Sequence, residues 1–387
     1  MKKFKSLFLV AAAVLIGFSS CNNEESFDDG YRAFSIQVTG VSESRALQTT
    51  GQGVIATIAS AGTDGVVFLI APDNSVIQAT ALTAAAQGVA PGQNLGTHPS
   101  NTRVFVVANV TTVYGVGATT ALMAANSWTA IQAILQTTAS YANATALNPI
   151  LSNNSGLPAS AVVVSPTLAR ATIELSPVTA RLELGQVTGG TWQDPNVAAN
   201  RDRILGFTVA GVYVDGYFTS FNYAGVGSGA IRAQGTSTDF TGVLGDVGPW
   251  AANAANWATS TPASAAPPAA VPQIWWAYNV PAGTISRLII AVTNVTYEKS
   301  TDGGATWVPG ITKDPTFTYY LTVSSYVNPV GGAVWTQDFL RGYVYQVGNL
   351  TFNRLNLHGT PNPTDLDLEV LVSVRPWQFQ ALNANLY

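Results

Sequence analysis

Residues 31–46 of the chain read YRAFSIQVTGVSESRA. In the first nine of these residues, large apolar side chains alternate with more polar ones, at Phe34, Ile36 and Val38. A two-residue period of this kind predicts a strand that buries one face. We therefore expect the first strand of the fold here, with these three side chains in the core.

The polar run after this strand leads to Arg45 and Ala46. Gly40 ends the strand pattern, and the small residues that follow it have little to pack against a core. Such a run is accessible to proteases, so a trypsin-like enzyme could cut after Arg45. Two interpretations stay open at this point. The strand is either paired at first and removed after cleavage, or it is an ordinary first strand followed by an ordinary loop arginine.

The composition indicates an extracellular β-protein. The chain has 387 residues, a length that suits one large or two medium domains. Charged residues make up 10% of it, against about a quarter in an average protein, while the apolar fraction of 47% is ordinary. A net charge of −4 with very few lysines argues against nucleic acid or an anionic membrane surface as a partner.

The chain begins like an exported protein. A lysine-rich start precedes the apolar run 7–16, which is too short to span a bilayer and is typical of an export signal. The lone cysteine, Cys21, follows where a bacterial lipobox would place the cysteine that is lipidated after cleavage. Phe18 and Ser20 depart from the usual lipobox residues, and a plain signal peptide with a chance cysteine is the alternative. A single cysteine also excludes an internal disulfide and a cysteine-based metal site.

The body of the chain has a β pattern with one helical exception. Short runs rich in Val, Ile and Phe are separated by turn-forming residues, which predicts strands. The run 103–110 is almost entirely apolar, as expected of a strand covered on both faces. Within 119–146, apolar side chains recur at helical spacing after Ser127, whose hydroxyl suits an N-cap. We expect one short amphipathic helix packed on a sheet.

The second half repeats the β pattern with longer loops. Pro177 splits the strand-like stretch 171–184, because proline cannot donate to a central ladder, and we place a domain boundary near it. Residues 225–271 are small and polar, which predicts a long loop that is functional or mobile. The run 365–374 alternates strictly and predicts one strand. A second alternation follows it, at Trp377, Phe379 and Ala381.

The residues predict no enzyme, cofactor or metal site. The two histidines, His98 and His358, lie in turn-like settings, and we interpret them as solvated loop residues. Residues 300–307 read STDGGATW and match the Asp-box pattern of β-hairpins in sialidases and other propellers. In that pattern Asp302 ties the amides of the turn and Trp307 packs beneath it. With a single copy, we interpret the motif as a solution to a hairpin turn.

Taken together, these features resemble the fimbrillin family, the type V pilus subunits of Bacteroidetes. The shared elements are a lipoprotein-like signal ending at Cys21, a strand followed by a cleavable Arg45, and a β-rich body. A late aromatic run at 341–345 (RGYVY) and the Pro376-Trp377 ending also fit the family. The resemblance covers the layout of the whole chain and is most specific at the arginine site and the ending.

The resemblance implies a mainly β fold. It consists of two β-sandwich domains of transthyretin-like, Greek-key type in tandem, with one short helix in the first domain. The implied segments are a signal peptide at 1–20, a prosegment with a removable strand at 21–45, an N-terminal domain at 46–176 and a C-terminal domain at 177–387.

The resemblance also implies polymerisation by strand exchange at the cell surface. The subunit would be exported as a lipoprotein anchored in the outer membrane through Cys21, and an arginine-specific protease would cut between Arg45 and Ala46. The strand bearing Phe34, Ile36 and Val38 would then leave. A neighbouring subunit of the self-polymer, or an accessory pilus subunit, would fill the groove with its C-terminal strand. The best donor residues are Trp377, Phe379 and Ala381, and the alternative is the strand with Leu366, Leu368 and Val370.

Two other function classes stay open. A glycan-binding surface lipoprotein or a tip adhesin would use tryptophans from 225–271 or the pair Trp275 and Trp276. A glycan hydrolase is suggested by the Asp box alone. Because the chain has both an arginine site and an aromatic tail, the stalk subunit of a pilus is favoured over an anchor or tip subunit.

Overall fold

The structure is a computed structural model of the chain. It describes residues 30–39, 45–49, 52–55, 64–83, 86, 92–137, 149–240, 276–312, 316–323, 325–327, 334–361, 369–371 and 373–376.

The described residues before position 178 form twelve strands and three short helices. The strands are β1 (Tyr31–Thr39), β2 (Arg45–Thr49), β3 (Gln52–Ile55), β4 (Gly65–Ile70), β5 (Val76–Ala81), β6 (Gln93–Pro99), β7 (Arg103–Ala108), β8 (Leu135–Thr137), β9 (Leu151–Asn153), β10 (Ala159–Ser160), β11 (Val162–Ser165) and β12 (Leu168–Pro177). The helices are α1 (Val110–Tyr114), α2 (Val116–Met123) and α3 (Trp128–Ala133).

The described residues after position 178 are almost entirely β. The strands are β13 (Ala180–Gly189), β14 (Thr191–Gln193), β15 (Arg201–Asp215), β16 (Tyr217–Asn222), β17 (Gly227–Arg232), β18 (Trp276–Val280), β19 (Arg287–Ser300), β20 (Val308–Thr312), β21 (Tyr319–Thr322), β22 (Ser325–Val327), β23 (Tyr343–Phe352), β24 (Glu369–Leu371) and β25 (Ser373–Pro376). One 3-10 turn, η1, spans Arg354–Asn356. The mainly β prediction is confirmed.

The first nine-stranded sheet folds into two layers because β12 belongs to both. Residues 168–174 of β12 pair with β1, whereas residues 175–177 pair with β9. We call β6-β1-β12-β11 the front layer and β5-β4-β7-β9, with β10 on β7, the back layer. Apolar side chains of both layers form one core cluster, including Phe34, Ile36, Val67, Val106 and Ile173.

The back layer is buried on its other face as well. Phe68 and Phe105 point away from the first core and join a second cluster with Trp128 and Ile131 of α3. The rings of Phe105 and Trp128 meet edge to face, with centroids 4.8 Å apart. The predicted strand covered on both faces is confirmed for residues 103–108. It is shorter than predicted, because Asn109, at φ +65°, turns the chain into α1.

The single helix predicted from the sequence is wrong in number. Three short helices stand in this region, because Gly115, at φ +86°, breaks α1 from α2. Ser127 does cap α3, since its Oγ accepts the Ala130 N–H at 3.1 Å. The helix ends at Ala133, because the next residues turn extended and β8 pairs with β16. Pairing with a distant strand overrides the helical spacing there.

Beyond Pro177, two of the sheets formed by the described residues enclose a core of their own. One sheet has the order β18-β13-β23-β25, and the other has the order β14-β15-β19-β20 with β21 on β19. The cluster between them draws on both sheets, including Leu182, Tyr345, Val347, Val214 and Ile290. The domain boundary near Pro177 stays a prediction. One pairing connects the two sides of it, because β8 lies before Pro177 and pairs with β16 after it.

Two sequence expectations for the second half are wrong. The long loop predicted at 225–271 begins too early, because β17 lies within it and pairs with β16. The single strand predicted at 365–374 is divided between two partners: β24 runs parallel to β22, and β25 pairs with β23. Alternation identified the extended backbone, but non-local partners decided where each strand ends.

Candidate functional site

The predicted removable strand, β1, lies inside the front layer rather than at its edge. It runs parallel to β12, from the Ala33–Leu168 pair to the Thr39–Glu174 pair. On its other side it runs antiparallel to β6. Among the described strands β6 pairs with β1 alone. Removing β1 would therefore open a groove walled by β12 and β6.

The side chains of β1 fill the centre of the first core. Phe34 and Ile36 are 0% exposed and Val38 is 4% exposed, as their alternation predicts. Burying three such side chains contributes roughly 1.5–3 kcal/mol each, an upper estimate. Arg32, two residues before Phe34 on the same face, and Ser35 on the opposite face are also buried. The strand is thus an integral part of the first core.

The β6 wall is irregular opposite β1. Between Ala33 and Ser35 the pairing register shifts, because β6 carries one extra residue there. Gly96, at φ +91°, makes this bulge possible, and its N–H donates to Asn94 Oδ1 at 2.9 Å. A glycine in this conformation is a regular feature of β-bulges.

His98 is not the solvated loop residue that the sequence suggested. It lies on β6 opposite Arg32, and its Nε2 is 2.8 Å from the carbonyl oxygen of Leu95. Its ring meets Phe34 edge to face, with centroids 6.2 Å apart. The residues of β6 have weak strand propensity, so the sequence signal for this wall is poor. His358, the second predicted loop histidine, forms a β-bridge with Tyr320.

Gly92 brings the start of β6 against the backbone of β1. Its φ is +80°, and a Cβ at this position would collide with the carbonyl oxygen of Ile36. Only glycine combines this backbone conformation with so close an approach.

Gln93 anchors the same wall to the back layer. Its side chain is buried, Oε1 accepts the Thr83 N–H at 2.9 Å, and Nε2 donates to the Ala81 carbonyl at 2.9 Å. Both ends of the amide are therefore bonded to the backbone at the end of β5.

The end of the β12 wall is held from the second half of the chain. The Arg341 guanidinium donates to the carbonyl oxygens of Ser176 at 3.0 Å and Pro177 at 3.3 Å, the last two residues of β12. It also donates to Ser152 Oγ on β9 at 3.0 Å and to the Ala224 carbonyl at 2.7 Å. This one side chain ties two strands of the first half to the second half.

The predicted cleavage site lies at the start of a strand. Arg45 and Ala46 open β2, and they pair with Ile55 and Val54 of β3. The expectation of a loop arginine is thus wrong for the backbone, because partners in β3 extend the chain there. Residues 40–44 and the side chains of β2 lie outside the described part of the structure, as does Cys21.

The predicted donor residues Trp377, Phe379 and Ala381 also lie outside the described residues. The strand before them is described: β25 ends at Pro376, opposite Tyr343. Among the alternative donor residues, Val370 lies in β24 and pairs with Tyr326, whereas Leu366 and Leu368 are not described.

The Asp box has the geometry expected of a hairpin turn. It joins β19 to β20, and Asp302 Oδ1 accepts the Ser300 hydroxyl at 2.6 Å and the Thr306 N–H at 2.8 Å. These bonds hold the pKa of the Asp302 carboxyl well below its usual range. Trp307 is half-buried with the guanidinium of Arg203 4.3 Å from its ring centre.

Within the described residues, no group of His, Cys, Asp and Glu is arranged to hold a metal ion. None of the described helices has the length and apolarity needed to cross a membrane.

The fold is similar to that of solved bacterial surface proteins. A protein from Parabacteroides distasonis, provisionally named a cell adhesion protein, superposes with a TM-score of 0.51 at 14% identity, covering 90% of this chain and 99% of its own. A second one from the same organism gives 0.50 at 12% identity, covering 92% and 100%. The chain has the fold of these cell adhesion proteins. No protein-family model and no curated protein matches the sequence.

A fimbrilin from Porphyromonas gingivalis is similar as well, with a TM-score of 0.48 at 13% identity, covering 91% of this chain and 99% of its own. The two Parabacteroides structures match 90% and 92% of this chain, so the similarity of fold includes both halves described above.

Proposed function

We propose that this protein is a structural subunit of a cell-surface fimbria, and that it polymerises when β1 is cut free and replaced by a strand from a neighbouring subunit. The observation that carries the proposal is the place of β1 between β12 and β6, with Phe34, Ile36 and Val38 buried. The adhesion-protein fold supports a surface role.

The energetics explain why β1 would need a trigger and a substitute. Its buried side chains contribute roughly 1.5–3 kcal/mol each and its ladder bonds about 1 kcal/mol each, which sums to the order of 10 kcal/mol. A strand held this firmly does not leave without a replacement of similar quality. An empty groove would expose two unpaired sheet edges, and such edges aggregate.

Cleavage after Arg45 is the trigger in this proposal. It would separate β1 from the body of the chain, so that only non-covalent contacts retain the strand. Because Arg45 and Ala46 pair with β3, the β2–β3 hairpin must open locally before a protease can bind. An arginine-specific protease and a lipid anchor at Cys21 in the outer membrane are the partners of the precursor. Accessory pilus subunits are the further partners of the polymer.

The C-terminal segment is the replacement strand. Trp377, Phe379 and Ala381 repeat the spacing of the three buried side chains of β1. Eleven residues follow Pro376, and at about 3.3 Å per residue they are long enough to cover the nine residues of β1. The alternative donor is less favoured, because part of it is already paired as β24. Backbone bonds would supply affinity and side-chain pockets would supply specificity.

The other function classes find less support. The side chains of Trp250, Trp257, Trp275 and Trp276, on which the glycan-binding alternative depends, lie outside the described residues. The described Trp192 and Trp307 each have an arginine side chain against the ring, which obstructs stacking of a sugar on that face. Asp302 is held within its turn by Ser300 and Thr306. We therefore propose a structural role rather than an enzymatic one, and a stalk subunit rather than a tip.

The test is assembly of the purified precursor after digestion with an arginine-specific protease. We expect ladders of polymer in the wild type and only monomer in Arg45→Ala. A chain truncated after Pro376 should be cut and should stay folded, yet fail to polymerise. Polymerisation of Arg45→Ala at the wild-type rate would refute the trigger, and polymerisation of the truncated chain would refute the donor.

A further inference from the structure

We propose that Gln93 is a positioning residue that keeps the β6 wall in place while β1 is absent, so that the groove is ready for an incoming strand. This inference rests on the proposed function, because it matters only if β1 leaves.

The need for such a residue follows from the topology. Among the described strands β6 pairs only with β1, so loss of β1 removes all of its ladder partners. The β12 wall does not have this problem, since β12 also pairs with β11 and β9. An unsupported β6 would gain conformational freedom, and any entering strand would have to order it again.

Gln93 supplies support that does not involve β1. Its amide bonds to the Thr83 N–H and the Ala81 carbonyl, both at 2.9 Å, and both groups belong to the chain at the end of β5 in the back layer. The side chain is 6% exposed, so water competes poorly for these bonds. Leu95, two residues along β6, packs into the first core and adds an apolar contact.

The position of Gln93 places this support at the centre of the groove. It pairs with Ile36 of β1 and directly follows Gly92, the residue that lies against the Ile36 carbonyl. Fixing Gln93 therefore fixes the backbone that any replacement strand must meet at its centre. A fixed wall lowers the ordering cost of capture, which is the general benefit of pre-organisation.

The test distinguishes an effect of Gln93 on the open groove from a general effect on folding. The precursor variants Gln93→Ala and Gln93→Met are compared with the wild type and with Thr97→Ala, an exposed position on the same strand. Each is cut with an arginine-specific protease. Each is then mixed with an excess of a fluorescent synthetic peptide of residues 31–39, and the captured peptide is measured by anisotropy and mass spectrometry.

We expect the uncut variants to fold with β1 in place. After cutting, the affinity for the peptide should fall by about tenfold or more in both Gln93 variants, as expected for two lost buried hydrogen bonds, and should be unchanged in Thr97→Ala. Capture by the Gln93 variants at the wild-type level overturns the inference and leaves the proposed function intact. No capture by the wild type overturns both.

A second measurement covers the case in which the Gln93 variants do not fold. Hydrogen exchange of the Thr83 amide, which donates to Gln93 and not to β1, is followed in the cut wild-type chain after β1 has been displaced and removed. We expect this amide to stay protected. Exchange at the rate of an unfolded chain would show that the wall collapses without β1, and it would overturn the inference.

Discussion

Nη1 of Arg341 donates a 2.7 Å hydrogen bond to the carbonyl oxygen of Ala224, and Nη2 of the same guanidinium reaches Ser152 and Ser176 in the first half of the chain. The partners are backbone carbonyls and serine hydroxyls of β9, of the end of β12 and of the turn after β16. Because a guanidinium presents five donors in a fixed fork, one side chain satisfies acceptors from three elements at once. Through these hydrogen bonds, Arg341 links the two halves of the chain.

Replacing Arg341 should weaken this connection strongly. Arg341→Ala is expected to lower the free energy of unfolding by roughly 2–4 kcal/mol, because several acceptors lose a charged donor. Arg341→Lys should recover little, since an ammonium cannot form the same fork. Urea unfolding followed by tryptophan fluorescence measures the change. Arg232→Ala is the matched control, because Arg232 bonds to its neighbours Ala233 and Gln234, and its loss should cost less than about 1 kcal/mol. An Arg341→Ala chain as stable as the control would contradict the prediction.

A side chain at position 92 should loosen β1. Gly92→Ala is expected to cost roughly 1–3 kcal/mol, because the residue has a positive φ and its Cβ would strike the Ile36 carbonyl. After cleavage, β1 should leave the variant faster than the wild type, as followed by mass spectrometry. Gly117→Ala on α2, where a Cβ meets nothing, should be neutral or slightly stabilising. Equal release rates in the two variants would count against a close contact at Gly92.

The core role of β1 predicts a large effect of truncating Phe34. Phe34→Ala should destabilise the precursor by about 3–5 kcal/mol, because the side chain is fully buried in the first core. Tyr31→Ala on the same strand is the control, since Tyr31 is 74% exposed. Thermal and denaturant unfolding measure both. If both substitutions cost the same, β1 does not bury the face described above.

The Asp box predicts a local dependence on pH. The pKa of Asp302 is lowered from 3.8 by its bonds to Ser300 and Thr306, so the folded turn favours the ionised carboxylate. The stabilisation is therefore complete above the unfolded pKa and is lost as the pH falls below it toward the folded pKa. The protection factor of the Thr306 amide, which is its exchange rate corrected for the intrinsic rate at each pH, should fall in acid, and Asp302→Asn should remove that fall. A Thr306 protection factor that does not change with pH in the wild type would refute this assignment.

Patterns in the sequence predicted those parts of the site whose structure is determined by residues close together in the chain. The alternation of Phe34, Ile36 and Val38 predicted a buried strand, and Ser127 predicted a helix start, because side-chain period and capping are short-range effects. The Asp box is likewise local, because its side chains form hydrogen bonds within the turn to which they belong.

The other groove wall was not predicted, because its strand character is not local. β6 contains Gly96 and ends at Pro99, and it is extended because β1 offers it backbone partners. The roles of Gln93 and Arg341 depend on carbonyls far away in the sequence, which no pattern around either residue reveals. The failure of the helical spacing at Leu135 has the same origin, since β8 follows its partner β16.

The mixed pairing of β1 bears on how a neighbouring subunit would be oriented in the proposed polymer. A strand with the polarity of β1 is parallel to β12 and antiparallel to β6, and a reversed strand would simply exchange the two arrangements. Both polarities offer one parallel and one antiparallel ladder, so backbone bonding alone selects neither. Two features of β6 make the two polarities differ. The bulge at Gly96 lies away from the centre of the strand, and Gly92 lies so close to the Ile36 carbonyl that a Cβ there would collide with it. In the proposed polymer, these two glycines would select one polarity of the incoming strand, so that every joint between subunits would have the same geometry.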